Sequence, residues 1–329
     1  MMSSTVKQDK ALQYEYFSTV RQQKVDWLWY PYIPYGKITI LQGDPGEGKS
    51  TFMLNIAALL TNGKPMPDGF AVSGPQQVIY QTAEDNIADT VKPRLIQAGA
   101  DCQKIAYIVD EESPLTLEDA RIDNVIQQTG AKLFILDPLQ AYLSQDSDMF
   151  AAGRIRQQLK MLSDIAAKHH CAVVIIGHMN KASGEKNLYR GLGSIDIAAV
   201  ARSVLMISRD KEKPNIRYMF PVKTSLAPEG KPIAFRLDHK RGICWLCDEK
   251  VDLDSISDRS EFESKGVFAQ RIIREILEHH DVPSVDVMSK LEYMGISKRT
   301  AMAAKKELGI VSYKKESTWY WHLNLRERY

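Results

Sequence analysis

One run of eight residues constrains this chain more than any other: Gly43-Asp44-Pro45-Gly46-Glu47-Gly48-Lys49-Ser50 fills every fixed position of a phosphate-cradling glycine loop. Its flanks suit it. Lys37 to Gln42 reads as a short buried strand, and Phe52, Leu54, Ile56, Ala57, Leu59 and Leu60 supply the apolar side of a helix. Strand, loop and helix therefore stand in the order the motif needs. Glycines at these spacings let backbone N–H groups turn inward around phosphates, and the helix N-terminus adds partial positive charge. In such a loop Lys49 reaches the β- and γ-phosphates and Ser50 holds Mg²⁺. The chain is expected to bind a nucleoside triphosphate, ATP with Mg²⁺, through Gly43 to Thr51.

At 329 residues the chain exceeds one average domain, and with 44% hydrophobic residues it can bury a substantial core, so two domains are expected. No stretch approaches the ~18 apolar residues of a membrane span, and Met1 to Lys10 is polar without a signal-peptide core. A soluble, cytoplasmic protein without a membrane partner is the expectation. The four cysteines do not make a disulfide framework. Cys244 and Cys247 form a CxxC, but no second pair or suitably spaced histidine follows, and they read as ordinary strand residues. The net charge of +2 is unevenly divided. From Lys265 onward there are 12 Lys and Arg against 8 Asp and Glu, and 31 against 33 before it, which hints at an anionic partner at the C-terminal end.

Short β-rich runs alternate with helical stretches well beyond the glycine loop. Strands are expected at Gln77 to Gln81, Ile105 to Val109, Leu133 to Leu136 and Ala172 to Ile176. The helices between them fall at Ile87 to Ala98, Leu117 to Gln128 and Gly153 to Lys168. Such a βαβ series predicts an α/β fold with a mainly parallel sheet covered on both faces. After Arg202 the texture changes: Val204 to Ser208, Ile216 to Val222, Ile233 to Leu237 and Ile243 to Leu246 have only short turns between them, so the sheet should finish antiparallel. Four segments are expected: an N-terminal arm (1–24), the nucleotide-binding core (25–249), an Asp- and Ser-rich linker (250–264) and a small C-terminal domain (265–329).

That last segment reads as a helix-turn-helix with a wing. Helices are expected at Val267 to Glu278, Val285 to Met294 and Lys298 to Leu308, the last capped by Ser297 and ended by Gly309. Ile310 to Tyr313 and Trp319 to Leu323 would pair as a wing around Lys314 and Lys315. On the third helix Ala301, Ala304 and Leu308 fall on one side, and Lys298, Arg299, Met302, Lys305 and Lys306 on the other. That separation suits a helix facing DNA phosphates, but a basic face on a protein-binding domain would look the same.

Binding becomes hydrolysis only when a metal-organising acid and a base for water are also present. Asp137 ends the strand Leu133 to Leu136, where a carboxylate would face the Mg²⁺ shell beside the loop; capping of the next segment is the competing role. The next residue is Pro138, so the base must come from elsewhere. Glu84 stands just past the Gln77 strand, where it could orient water, although with Asp85 beside it the pair could instead cap a helix. His178, at the end of the Ala172 strand, holds the position of a γ-phosphate sensor or is structural. The glycine-rich, basic stretch after it, with Lys181, Lys186 and Arg190, is either a loop that meets DNA or an ordinary surface loop. The aromatic run Trp27, Trp29, Tyr30, Tyr32 and Tyr35 could stack adenine, clamp a neighbour or cover the sheet edge.

From Trp27 to about Asp238 the chain resembles the RepA-type ATPases of plasmids and mobile elements, RecA-fold relatives of hexameric replicative helicases. The resemblance rests on Gly43 to Ser50, on Thr82 to Leu95 followed by Ala98 to Asp101, and on Asp137-Pro138-Leu139, Gly177-His178, Arg190 to Ser194 and Ala201 to Leu205. It implies Glu84 as catalytic base, Asp137 as metal acid, His178 as sensor, and Arg202 as an arginine finger given to the neighbouring subunit. Lys223 would sit as a second cation acting across the interface, in a homo-oligomer of hexameric kind that takes single-stranded DNA through its core. The added C-terminal segment departs from the compact helicase of that group. A loader or DNA-binding regulator without unwinding activity, and a RecA-like recombination or defence ATPase, stay open beside the helicase reading.

Overall fold

The computed structural model describes residues 14–143, 151–178, 200–238, 242–246, 265–277, 280–293, 296–315 and 317–323. A short ribbon, β1 (Trp27–Trp29) with β2 (Ile33–Pro34), leads into β3 (Ile38–Gly43) and α1 (Lys49–Thr61). Then follow β4 (Val78–Thr82), a π-turn at Ile87–Val91 running into α2 (Lys92–Gln97), β5 (Ile105–Ala106) and α3 (Ala120–Thr129). After these come β6 (Leu133–Asp137), α4 (Ala151–Lys168), β7 (Ala172–His178), β8 (Ser203–Arg209), β9 (Ile216–Thr224), β10 (Ile233–Asp238) and β11 (Gly242–Trp245). The strands from β3 onward form one sheet in the order β11-β10-β9-β8-β3-β7-β6-β4-β5. Pairs from β5 across to β8 are parallel, and those from β8 out to β11 antiparallel. This is the RecA-like arrangement expected: a mainly parallel sheet that finishes in antiparallel strands.

Alternation along the central strands explains why both faces are covered. Leu41, Tyr80, Ile135 and Val174 point to a core shared with Phe52 and Ile56 of α1. Their neighbours Ile40, Ile79, Phe134 and Val173 point to a second core shared with Ile126 of α3 and Leu162 of α4. Strands so placed have no wet face, which is why they read as continuous apolar runs rather than alternating ones. Among the described residues no helix is long and apolar enough to cross a membrane.

Two expectations are corrected. The strand expected from Ile105 to Val109 stops at Ala106, because the Gln81 side chain takes over the backbone of Ile108, accepting its N–H at 2.8 Å and donating to its carbonyl at 3.2 Å. A side-chain amide thus replaces the next rung of the ladder, and Tyr107 and Val109 stay exposed. The helix expected from Leu117 begins at Ala120, where the Asp119 carboxylate caps the Arg121 N–H at 2.8 Å.

Of the aromatic run, Trp29 and Tyr32 lie in the core rather than in a binding site. Their rings are 4.7 Å apart, Trp29 stacks on Phe52 of α1 at 6.4 Å, and Trp29 Nε1 donates to Asp68 at 3.0 Å. The Tyr32 hydroxyl donates to the Lys231 carbonyl at 2.6 Å, and burial pushes its pKa up. A Cβ at Gly230 would stand 2.4 Å from the Tyr32 ring, so the chain needs glycine there.

The C-terminal segment contains α5 (Lys265–Leu277), β12 (Val282–Pro283), α6 (Ser284–Tyr293), α7 (Lys298–Glu307), β13 (Val311–Lys315) and β14 (Thr318–His322). Its strands pair antiparallel in the order β12-β14-β13. Ile273, Val287, Leu291, Ala301 and Trp321 fill a core of its own. Ser297 caps α7 through the Thr300 N–H, and Gly309 follows with φ +65°, as expected. The residues expected as a linker, 250–264, lie outside the described residues, as does most of the N-terminal arm.

The position of Trp29 predicts a large effect from its removal. Trp29→Ala is expected to cost about 3–5 kcal/mol of stability, read as a lower urea midpoint at unchanged slope. Tyr30→Ala, at a ring 45% exposed, should cost far less.

Candidate nucleotide-binding and hydrolytic site

The parallel strands end together, and the site residues stand at those ends. Across the sheet Gly43 of β3 pairs with His178 of β7, and Thr82 of β4 with Asp137 of β6. Such an edge, where strand ends meet helix N-termini, is where open α/β sheets bind ligands. Gly43 is required by packing as well as by conformation: at φ +152° its absent Cβ would lie 2.4 Å from the Ile207 carbonyl of β8. Gly48, at φ +89°, turns the loop into α1 with Leu237 of β10 packed close against it.

Lys49 is 4% exposed, and its Nζ donates to the loop carbonyls of Gly43 at 2.7 Å and Asp44 at 2.9 Å. Burial lowers its pKa, while the charges of Asp137, Asp44, Glu47 and Glu84 oppose that shift. The lysine, the strand-end Asp and the proposed base therefore lie within electrostatic reach of one another. Asp137 is 3% exposed and accepts from the Tyr80 hydroxyl at 2.6 Å. Burial first, and then the Asp137 charge, push the Tyr80 pKa up, while the nearby Ser50 side chain acts in the opposite direction. Tyr80 thus holds Asp137 and lies near Ser50, the two residues expected to hold a metal. Those donors are oxygens, the kind Mg²⁺ requires, so the residues present fit that ion.

Glu84 and Asp85 differ in their partners. Asn86, not either acid, caps the following turn, accepting from the Ala88 N–H at 2.8 Å and the Asp89 N–H at 3.2 Å. Asp85 pairs with Arg94 at 2.7 Å. Glu84 is exposed beyond β4, its backbone N–H held by Thr82 Oγ1 at 3.3 Å, and its charge acts on Lys49.

Arg202 and Lys223 lie at the other end of the sheet. The Arg202 N–H bonds the Ile38 carbonyl at the start of β3, and Lys223 Nζ donates to the Ala201 carbonyl at 2.9 Å. Burial and then the Arg202 charge lower the Lys223 pKa. At roughly 3.3 Å per residue, β3 sets this pair about 15 Å from Gly43. The Arg202 side chain is exposed. His178 is placed at the end of β7, but its side chain, together with Lys181, Lys186 and Arg190, lies outside the described residues. Lys298, Arg299, Lys306, Lys314 and Lys315 are exposed on the C-terminal segment, whereas Lys305 is turned onto Ser312 and Trp321.

Three side chains at the site escaped the sequence reading: Tyr80, Arg209 and Arg217. The arginines face each other across β8 and β9. Two like charges in that register repel unless neutralised. Glu47 of the loop relieves this by bridging the two, at 3.1 Å from Arg209 and 2.9 Å from Arg217, and the remaining positive charge reaches water through the Arg209 side chain, 43% exposed. Arg217 is 6% exposed and its pKa is lowered, chiefly by burial. Only an inward-facing charge within an apolar strand marks Arg217 in the sequence, and no local signal marks Tyr80.

The chain is similar to several known proteins. The DNA repair protein RadA of Synechocystis sp. is 25% identical over 152 residues, which is 44% of this chain and 29% of that protein. RadA of Bacillus subtilis is 23% identical over 148 residues, 44% of this chain and 28% of its own. The chain thus spans under a third of the length of these curated relatives. The crystal structure of the RadB recombinase superposes with a TM-score of 0.47 at 20% identity, covering 64% of this chain and 91% of that one. Residues 8–184 match the family described as "AAA domain", a stretch that takes in the glycine loop, Glu84, Asp137 and His178. With more than half its length in that match, and the loop, the lysine and the strand-end acid assembled at one sheet edge, the chain belongs to the AAA domain family.

Proposed function

We propose that this chain is a Mg²⁺-dependent ATPase that acts on DNA in recombination or repair, and that it works as a homo-oligomer with shared sites. The observation that carries the reading is the convergence of Lys49, Ser50, Asp137 and Glu84 on one edge, with the Tyr80 hydroxyl bonded to Asp137. The relatives named above are DNA repair proteins, which favours repair or recombination over the replicative helicase that the RepA resemblance implies. The DNA partner rests on the same relatives.

In this reading Lys49 exchanges the carbonyls of Gly43 and Asp44 for phosphate oxygens, and the loop N–H groups and the α1 terminus complete the cradle. Ser50 and Asp137 would hold Mg²⁺, which neutralises charge on the phosphates when bound. Tyr80 keeps the Asp137 carboxylate aimed, and Glu84 orients the attacking water. His178 would sense the γ-phosphate from the end of β7. Arg202 and Lys223 stand at the far end of their own sheet, a placement that supports a role at the site of a neighbouring subunit.

Lys49→Ala is expected to abolish nucleotide binding, while Glu84→Gln should keep it and lower kcat by about 10²–10⁴-fold in a steady-state ATPase assay. Unchanged turnover in Glu84→Gln would remove Glu84 as the base. Tyr80→Phe should raise the Mg²⁺ concentration needed for half-maximal activity by about tenfold, as loss of a hydrogen bond to a charged group implies, and cost about 1–3 kcal/mol of stability because the buried Asp137 carboxylate loses that donor. Mixing the inactive variants Arg202→Ala and Lys49→Ala should restore part of the activity. Additive inactivity in that mixture argues for self-contained sites. A tailed-duplex assay separates a repair ATPase, which leaves the duplex closed, from a helicase.

A further inference from the structure

The C-terminal segment carries a groove of about 840 Å³ between α6, α7 and the β13–β14 hairpin. Each helix has a core face and a groove face. On α6, Val287 and Leu291 enter the core, while Val285, Met288 and Glu292 line the groove. On α7, Ala301 and Ala304 enter the core, while Met302 faces the groove between Lys298 and Lys305, one helical turn to either side. Ile296 and Trp321 line it too, together with Trp319 of the hairpin. Val285 is 68% exposed, Met302 45% and Trp319 53%, so three large apolar side chains meet water in one concavity. A contiguous apolar concavity with a polar rim marks an interaction site more often than scattered surface hydrophobes do.

The charges select the occupant. Lys298 and Lys305 line the groove against a single acid, Glu292. Exposed Arg299, Lys306, Lys314 and Lys315 extend the positive field beyond it. Its apolar walls combine aliphatic Val285 and Ile296, the thioethers Met288 and Met302, and the indoles of Trp319 and Trp321, with serines between them, and the thioethers adapt to branched and aromatic side chains. Of the two tryptophans only Trp319 offers an open ring for a base to stack on, since Trp321 is 3% exposed and Lys305 Nζ sits 4.9 Å over it. Lys305 is further held to Ser312 Oγ at 2.5 Å, which keeps its charge at the groove wall rather than on a ridge that would meet a phosphate backbone.

We propose that this groove docks an acidic, amphipathic peptide segment of a partner protein. Its apolar side chains would lie against Met288, Met302 and Trp319, and its carboxylates would face Lys298 and Lys305. Such a site would recruit the ATPase to another protein independently of DNA contact by the core.

The test is fluorescence anisotropy on the full chain with three labelled probes at one salt concentration. One is a short synthetic peptide of Asp and Glu with Leu and Phe at helical spacing; the others are single-stranded and duplex DNA. The peptide is expected to bind, and to bind at least about tenfold more weakly to Met302→Glu and to Lys298→Glu. Both substitutions are at exposed sites, so the melting temperature should hold. Lys290→Glu, on α6 outside the groove, should change peptide affinity much less. The proposal is overturned if the peptide does not bind or if its binding ignores Met302→Glu. It is overturned too if either DNA competes it off and loses affinity with Trp319→Ala, which would make the groove a nucleic-acid site. ATP hydrolysis enters none of these readings, so failure here is distinct from failure of the proposed ATPase.

Discussion

The central strands have both faces buried, and the rest of the core depends on that constraint. Leu41, Tyr80, Ile135 and Val174 pack under α1 while Ile40, Ile79, Phe134 and Val173 pack under α3 and α4, so little room remains on either face for polar chemistry. A parallel sheet covered this way can present functional groups only at its strand ends. That is where Gly43, Asp137, His178 and the turn carrying Glu84 occur. The same burial sets the electrostatics. A lysine 4% exposed is tolerable because carboxylates surround it and two carbonyls accept its protons.

Buried charge also links the glycine loop to the antiparallel half of the sheet. Arg209 and Arg217 stand opposite each other at the turn between β8 and β9, and the single Glu47 carboxylate bridges them. Removing one partner of such a cluster would leave the other charges buried and uncompensated, which is more costly than the cluster is stabilising. The loop is therefore fixed at two places of different kind: by close backbone approach at Gly43, and by ion pairing at Glu47. The strands after β8 are thus part of the nucleotide site and not only a closing edge.

The family match ends at residue 184, short of Arg202, Lys223 and the C-terminal segment. These are the parts through which chains that share a nucleotide core can differ in assembly and partner. The segment from α5 to β14 has its own apolar core and a cationic groove, features that the family match does not cover.

The glycine loop, the βαβ alternation and the change to antiparallel strands were legible because each is a local pattern: a spacing, a period or a turn length. Ser297 and Gly309 were legible at α7 for the same reason. What was not legible depended on residues far apart in the chain. Gln81 cuts β5 short from 27 positions away, and Tyr80 reaches Asp137 across 57. Asp85 and Asn86 take up the pairing and capping roles that left Glu84 ambiguous. The position of Arg202 at the wrong end of its own sheet follows only from the parallel pairing of β8 with β3. By itself the sequence determined that a triphosphate loop sits between a buried strand and a helix, because backbone geometry and glycine spacing are local. Only the tertiary structure decided which polar side chains share the site, because burial forces each charge to find a partner, and that partner is chosen by strand order rather than by distance along the chain.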